Sequence, residues 1–241
     1  MISDLKSSQP LMRQITKEIR SRLPNATAVV FFGSRVAGVA DAFSDYDVMV
    51  LLPEGLDSDE RQRVKQEIQS VFPEICLDMI FGSKRWLLSS LAVEAYYRFW
   101  LENSVATFGQ VPKPQQYPRL YKDAIDSRLN IIRSEIKVVE AWSRNLHQEA
   151  NGYLRILKHL VLIEHALQGN YSTPSIWNEL TCLLGSDLIS ILRDPHAIRR
   201  VRRPMLSQVR RVMWRKFAKV RKQVLRSKLP SKYPVREHFR T

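Results

Sequence analysis

Three aspartates and one glycine–serine pair hold most of the chemistry that can be read from this 241-residue chain. Asp45 and Asp47 stand two apart at the opening of an apolar, β-branched run, residues 46–52 (YDVMVLL). Along a strand, residues i and i+2 point to the same side, so the two carboxylates project together. Like charges that close repel and resist ionisation. A hard divalent cation resolves the conflict, and Mg²⁺ in particular takes carboxylates together with the phosphate oxygens of a substrate. Asp78 lies at the centre of another apolar run, residues 75–81 (ICLDMIF), where an isolated charge would be costly to bury. On a strand beside the first two it could ligate a second cation or take a proton from an attacking hydroxyl. Gly33 and Ser34 close the apolar run AVVFF (28–32), with ten residues between Ser34 and Asp45. Without a Cβ, Gly33 lets a triphosphate approach the backbone, and the Ser34 hydroxyl with nearby N–H groups can hydrogen-bond it. The bland alternative makes Asp45 and Asp47 caps of a strand start and Asp78 a paired buried acid. Three carboxylates in register with a Gly-Ser turn argue against it.

Positioning these groups requires a small sheet with helices around it. Leu11, Ile15, Ile19 and Leu23 step by four, which predicts a helix over 11–23, stopped by Pro24-Asn25. Strands are expected at 28–32, 46–52 and 75–81, with GSRVAGVADAFSD (33–45) as the first connection. A helix over 58–71 has acids in its first turn and Val64, Ile68 and Val71 at helical spacing. One long helix is expected from 84 to 102, and SVATFG (104–109) reads as a closing strand. VPKPQQYPRL (111–120), with three prolines, reads as a linker. Beyond it the spacing predicts helices over 119–146, 152–168 and 175–193, and a further one over 206–226. On the last, Val209, Met213, Phe217, Val220 and Val224 share a face, with Arg210, Arg211, Lys222 and Arg226 mostly off it. The expected architecture is an α/β N-terminal domain with a small mixed sheet and flanking helices (1–112), an all-α helical bundle (119–198), and a basic C-terminal helix and tail (199–241).

Charge follows the same division. The formal net charge is +14, yet residues 199–241 hold sixteen Lys and Arg against the single acid Glu237, a balance of +15 that leaves the rest at −1. A basic excess so concentrated points to one face or tail meeting a polyanion. The candidate contacts are Arg199, Arg200, Arg202, Arg203, Arg210, Arg211, Arg215, Lys216 and Lys222, with Trp214, Phe217, Tyr233 and Phe239 interleaved for base stacking. An amphipathic basic helix is also compatible with a membrane surface, but its apolar face is better used in packing. Two cysteines, Cys76 and Cys182, cannot make a disulfide framework. No run is long and apolar enough for a transmembrane segment, and the N-terminus lacks the apolar core of a signal peptide. A cytoplasmic location is the resulting expectation.

Taken together, Phe32, Gly33, Ser34, Asp45, Asp47 and Asp78 resemble, in order and spacing, the nucleotidyltransferase superfamily that includes DNA polymerase β, most closely its minimal and kanamycin-nucleotidyltransferase-like members. The stretch SDYDV (44–48), Arg35 after Gly-Ser, and LENSVATFG (101–109) add to the resemblance, which covers about residues 12–110. It implies transfer of a nucleoside monophosphate from an NTP, ATP favoured, to an acceptor hydroxyl by a two-metal mechanism with Mg²⁺ or Mn²⁺. Asp45 and Asp47 would hold both ions, Asp78 would hold one and activate the acceptor, and Gly33, Ser34 and Arg35 would bind the nucleotide. Residues 119–193 are similar to the HEPN-like bundle of kanamycin-nucleotidyltransferase-like proteins. Nuclease members of that group place four to six residues between Arg and His. Arg155 and His159 have three between them and Arg144 and His147 have two, so RNase activity is not expected, and His159 and His165 read as ordinary helix residues. The expected acceptor is RNA, such as a tRNA 3′ end. The alternatives are a hydroxyl of a partner protein, a small antibiotic, or an inactive module that only binds RNA.

Overall fold

The computed structural model of the chain describes residues 5–38, 40, 44–113, 116–117, 120–171, 173–194, 197 and 199–231. Tyr233 and Phe239, part of the 111–120 linker and part of the 33–45 connection lie outside the described residues. The chain divides into two compact units, residues 1–91 with 97–118, and residues 92–96 with 119–241.

The first unit is built on a four-stranded mixed sheet. In chain order it runs α1 (Leu5–Arg22), β1 (Ala28–Phe32), the single turn α2 (Gly33–Val36), β2 (Tyr46–Leu52), α3 (Ser58–Val71), β3 (Leu77–Ser83), α4 (Lys84–Val93), α5 (Ala95–Glu102) and β4 (Val105–Gly109). The spatial order is β3-β2-β1-β4, with β1 antiparallel to both neighbours and β2 parallel to β3. A parallel pair needs a crossover, and α3 supplies it. Asp57 caps that helix, its side chain accepting from the Glu60 N–H. One sheet face packs on α1 and α3 through Met12, Ile15, Ile19, Val64 and Ile68 against Val29, Phe31, Val48, Val50, Met79 and Phe81. Because side chains alternate, Asp47 and Asp78 belong to the opposite face. Phe32, paired with Asp47 across β1 and β2, stacks on Trp100 of α5 at 4.5 Å.

The second unit is helical: α6 (Lys122–Trp142), α7 (Leu146–Leu167), α8 (Thr173–Leu184), α9 (Ser186–Arg193) and α10 (Arg203–Arg226). α7 is its axis, with Tyr153, Ile156, Leu157, Leu160 and Val161 buried. Gly152 lets α6 and α7 approach closely, since a Cβ there would lie 2.7 Å from Val139 Cγ2. Basic α10 lies along α7 by the apolar face expected for it, burying Val209, Met213, Val220 and Val224 completely.

Several boundaries differ from expectation for local reasons. The helix expected over 84–102 divides at Glu94, where the Arg98 guanidinium donates to the Leu91 carbonyl at 3.0 Å. The helix expected over 175–193 divides at Gly185, whose φ of +87° takes the chain out of helical geometry. The helix of residues 11–23 begins earlier, at Leu5, and contains Pro10. Val71, expected on the apolar face of α3, is 45% exposed at its last turn.

Candidate active site

The site forms where β1 ends and β2 and β3 begin. Asp45 immediately precedes β2, Asp47 is its second residue, and Asp78 sits beside Asp47 in the parallel register. One carboxylate oxygen from each of the three lies within 4.8 Å of the others. Asp45 and Asp47 are half-buried. Asp78 departs from expectation: it is the second residue of β3, not its centre, and it is exposed because β3 is an edge strand.

Gly33 is required by this arrangement twice over. Its φ is +79°, and a Cβ there would lie 1.7 Å from Asp47 Oδ2. Gly33→Ala is therefore expected to cost about 1–3 kcal/mol of stability through the backbone and to push the Asp47 carboxylate out of the cluster. Urea melts of the variant beside its activity at graded Mg²⁺ check both effects, the second as a higher cation requirement. Ser34 follows in the half-buried turn of α2.

Arg35, expected on the nucleotide, has its described contacts in the connection and at the start of β2. Its Nε donates to the Ser44 carbonyl at 2.9 Å, its Nη2 donates to the same oxygen, and the guanidinium lies 4.4 Å from the centre of the Tyr46 ring. These contacts bracket Asp45 on both sides. Displacing a reacting group by about 1 Å costs on the order of 10²-fold. Arg35→Ala is thus expected to lower turnover about 10- to 100-fold and to raise the cation concentration for half-maximal activity, with KM for NTP little changed. A loss confined to KM would return Arg35 to the nucleotide.

A groove of about 470 Å³ runs along the outer edge of β3 from Asp78 to Trp86. Ser58, Arg61, Gln62 and Lys65 of α3 line its other wall. Sequence reasoning passed over them because it followed the apolar stripe of that helix. Their spacing of i, i+3, i+4 and i+7 marks a second, polar stripe of the same helix.

The candidate polyanion contacts are not all at the surface. Arg199, Arg200, Arg202, Arg203, Arg210, Arg211, Arg215 and Lys222 are exposed. Lys216 corrects the expectation: it is 5% exposed and pairs with Glu164 of α7 and Glu179 of α8. Buried on the packing face of α10, it cannot reach a phosphate. Lys219 joins Glu164 at 2.7 Å, Gln223 donates to the same carboxylate at 2.8 Å, and Arg210 pairs with Glu140 at 2.7 Å. Burial would push the Glu164 carboxyl up, but the hydrogen bonds from Lys216, Lys219 and Gln223 outweigh it and hold it down at about 2. His159 and His165 are packing residues of α7. Burial, then the charges of Arg128, Lys158 and Arg155, lowers His159 to about 4, and its Nδ1 accepts from Arg128 Nη2 at 2.7 Å. His165 Nε2 donates to Glu179 at 2.6 Å.

A family model described as the nucleotidyltransferase domain matches residues 12–97, the stretch that holds all three aspartates and the Gly-Ser turn. The chain carries a nucleotidyltransferase domain. It is an enzyme of that class, and the four-stranded mixed sheet with flanking helices is the part of the fold concerned. No curated protein sequence matches the chain. Among solved structures, the chain is similar to a toxin–antitoxin structure with AMP-PNP, at 17% identity over 54% of this chain and 95% of the other, TM-score 0.33. It is also similar to a structure of tri-AMPylated Shewanella oneidensis HEPN toxin with MNT antitoxin (15% identity, 55% and 96% covered, TM-score 0.31). A structure of spectinomycin adenyltransferase AAD(9) from Enterococcus faecialis with ATP and spectinomycin is similar over more of the chain, 90% of this chain and 99% of that one, at 12% identity and a TM-score of 0.48. Among the described residues, no helix is long and apolar enough to cross a membrane.

Proposed function

We propose that the chain transfers a nucleoside monophosphate from an NTP, ATP favoured, to a hydroxyl of a macromolecular acceptor and releases pyrophosphate. The observation that carries this reading is the convergence of Asp45, Asp47 and Asp78 within 4.8 Å, with Gly33 held against Asp47. The donor set fits divalent cations: three hard carboxylate oxygens, carrying three like charges that need neutralising. Asp45 and Asp47 would hold both of two ions and Asp78 one, with Mg²⁺ preferred and Mn²⁺ a substitute. Bound there, two such ions supply charge stabilisation to the attacking and leaving oxygens of an in-line displacement.

The chain's own groups do the rest. Gly33 leaves room for the β- and γ-phosphates, and the Ser34 hydroxyl binds them. Arg35 keeps Asp45 in place through Ser44 and Tyr46. Asp78, open at the sheet edge, takes the proton from the acceptor hydroxyl. That oxygen forms the new bond to the α-phosphorus as the bond to the β-phosphate oxygen breaks.

The acceptor we favour is RNA. What supports it is the exposed cations of the C-terminal segment, Arg199, Arg200, Arg202, Arg203, Arg211, Arg215 and Lys222, on a chain otherwise near neutral. Incubation with each of four α-labelled NTPs, Mg²⁺, total RNA and cell lysate tests the reading, with Asp45→Ala/Asp47→Ala as control. Label in RNA is the expected result. Label in protein or a small molecule alone keeps the reaction and replaces the acceptor. No label in any fraction sinks the proposal.

A further inference from the structure

The α6–α7 corner of the helical unit carries a groove that the transfer reaction does not use. It has a volume of about 390 Å³ and is lined by the C-terminal turns of α6 and the first three turns of α7. Trp142, the last residue of α6, is 80% exposed on its rim, and Val138 one turn earlier is 56% exposed. His147 lines the groove at 6% exposure, and its Nε2 has no hydrogen-bond partner among the described residues. A buried polar nitrogen without a partner is uncommon and costly. Exposed Asn151 and Arg155 follow on the same face of α7, four residues apart, and no carboxylate is among the lining residues.

The basic face continues along α7. Lys158, three residues past Arg155, lies 5.2 Å from the centre of the Trp177 ring, and Arg193 of α9 lies 4.5 Å from it. From His147 to Lys158 the helix rises about 16 Å. An open indole therefore stands at one end of a groove whose α7 wall carries Arg155 and then Lys158, and a second indole with two cations stands at the other end.

We propose that this groove binds single-stranded nucleic acid, with a base stacked on Trp142, its phosphate on Arg155, and its polar edge met by Asn151. An open aromatic face beside cations that track a backbone is the pattern of single-strand binding. The groove volume also suits one nucleotide better than a protein helix. A second copy or a protein partner covering Val138 and Trp142 would leave Arg155 and Lys158 facing apolar surface.

The test uses the full chain carrying Asp45→Ala/Asp47→Ala and no NTP, so its outcome is independent of whether transfer or its acceptor has been assigned correctly. A fluorescein-labelled ten-nucleotide oligo(rA) is titrated at roughly 50 mM salt, where phosphate contacts are strongest, and anisotropy is read. Trp142→Ala is expected to weaken binding at least about tenfold, the scale of one lost stacking contact. Trp142→Phe should restore most of it. Arg155→Gln should weaken binding and make the log–log salt slope shallower by about 0.7. Trp142 and Arg155 are exposed, so these variants should fold, and circular dichroism checks it. The proposal fails if the parent does not bind or if Trp142→Ala binds as the parent does. It fails equally if only Arg211→Gln/Arg215→Gln/Lys222→Gln on α10 abolishes binding. Sedimentation showing that Trp142→Ala breaks a dimer, with oligonucleotide affinity unchanged, would assign the groove to self-association instead.

Discussion

Asp45→Ala with Asp47→Ala is expected to lower nucleotidyl transfer by at least about 10³-fold, because two ligands shared by both cations are lost at once. That corresponds to about 4 kcal/mol of transition-state stabilisation. The folded state should not suffer with it. The three carboxylates crowd within 4.8 Å, and removing two of the like charges relieves a repulsion that only bound cation or substrate offsets. Denaturant midpoints without Mg²⁺ are therefore expected to be unchanged or raised in the variant, as at sites where function opposes stability. Added Mg²⁺ should stabilise the parent and not the variant, since a ligand that binds the native state alone raises its apparent stability. A variant that lost activity because it failed to fold would show the opposite melting behaviour. Asp78→Asn should leave more cation binding intact and alter the pH profile, because its assigned work includes taking the acceptor proton.

Lys216→Met is the second large effect, and it falls on stability. The substitution leaves Glu164, 2% exposed, with part of its charge unanswered, and it takes from Glu179 one of its two partners. Breaking one side of a buried pair costs about 3–5 kcal/mol. Adding Glu164→Gln and Glu179→Gln should recover much of that, since removing all the charges leaves none stranded. Acid has a definite sign here. Glu164 is held at about 2 in the folded chain against 4.5 for the free group, and Glu179 is lowered as well, so both are ionised more readily folded than unfolded. Their contribution is complete above about pH 4.5 and is lost as the pH falls toward 2. Urea melts at pH 7 and pH 3 should show the parent losing stability with acid. Lys216→Met should show a smaller loss or a gain, because its stranded Glu164 is better protonated.

Much of the catalytic unit was legible because its signals are local. The observed bounds of β1, β2 and α3 coincide with the apolar runs and cap at 28–32, 46–52 and 58–71. The pairing of Asp45 with Asp47 follows from the pleat alone. The apolar run 75–81 puts Asp78 on the right strand but implies a central, buried position. Its exposure depends on β3 standing at the edge of the order β3-β2-β1-β4, and strand order is a non-local property. Arg35 shows the same limit, since its carbonyl partner is nine residues away across a connection with no periodicity. Lys216 is a different case. It lies three residues after Met213 and four before Val220, so helical spacing already placed it on the apolar face of α10. Counting the segment's charge together with its neighbours hid that, and the acids that answer it, Glu164 and Glu179, are 52 and 37 residues earlier. Gly152 and the Trp142 groove were equally out of reach, because both depend on how α6 crosses α7.

The buried pairs under α10 also change what its positive charge means at a distance. Lys216 is answered internally by Glu164 and Glu179, while the exposed Lys219 and Arg210 are answered at the surface by Glu164 and Glu140, and a compensated charge projects little field. The remaining exposed cations are screened over about 8 Å at physiological ionic strength, whereas enclosed pairs are screened far less. The segment thus contains two electrostatic populations with opposite responses to counterions. One cements α10 to its neighbours with little regard for salt, and the other tunes how quickly a polyanion is drawn in.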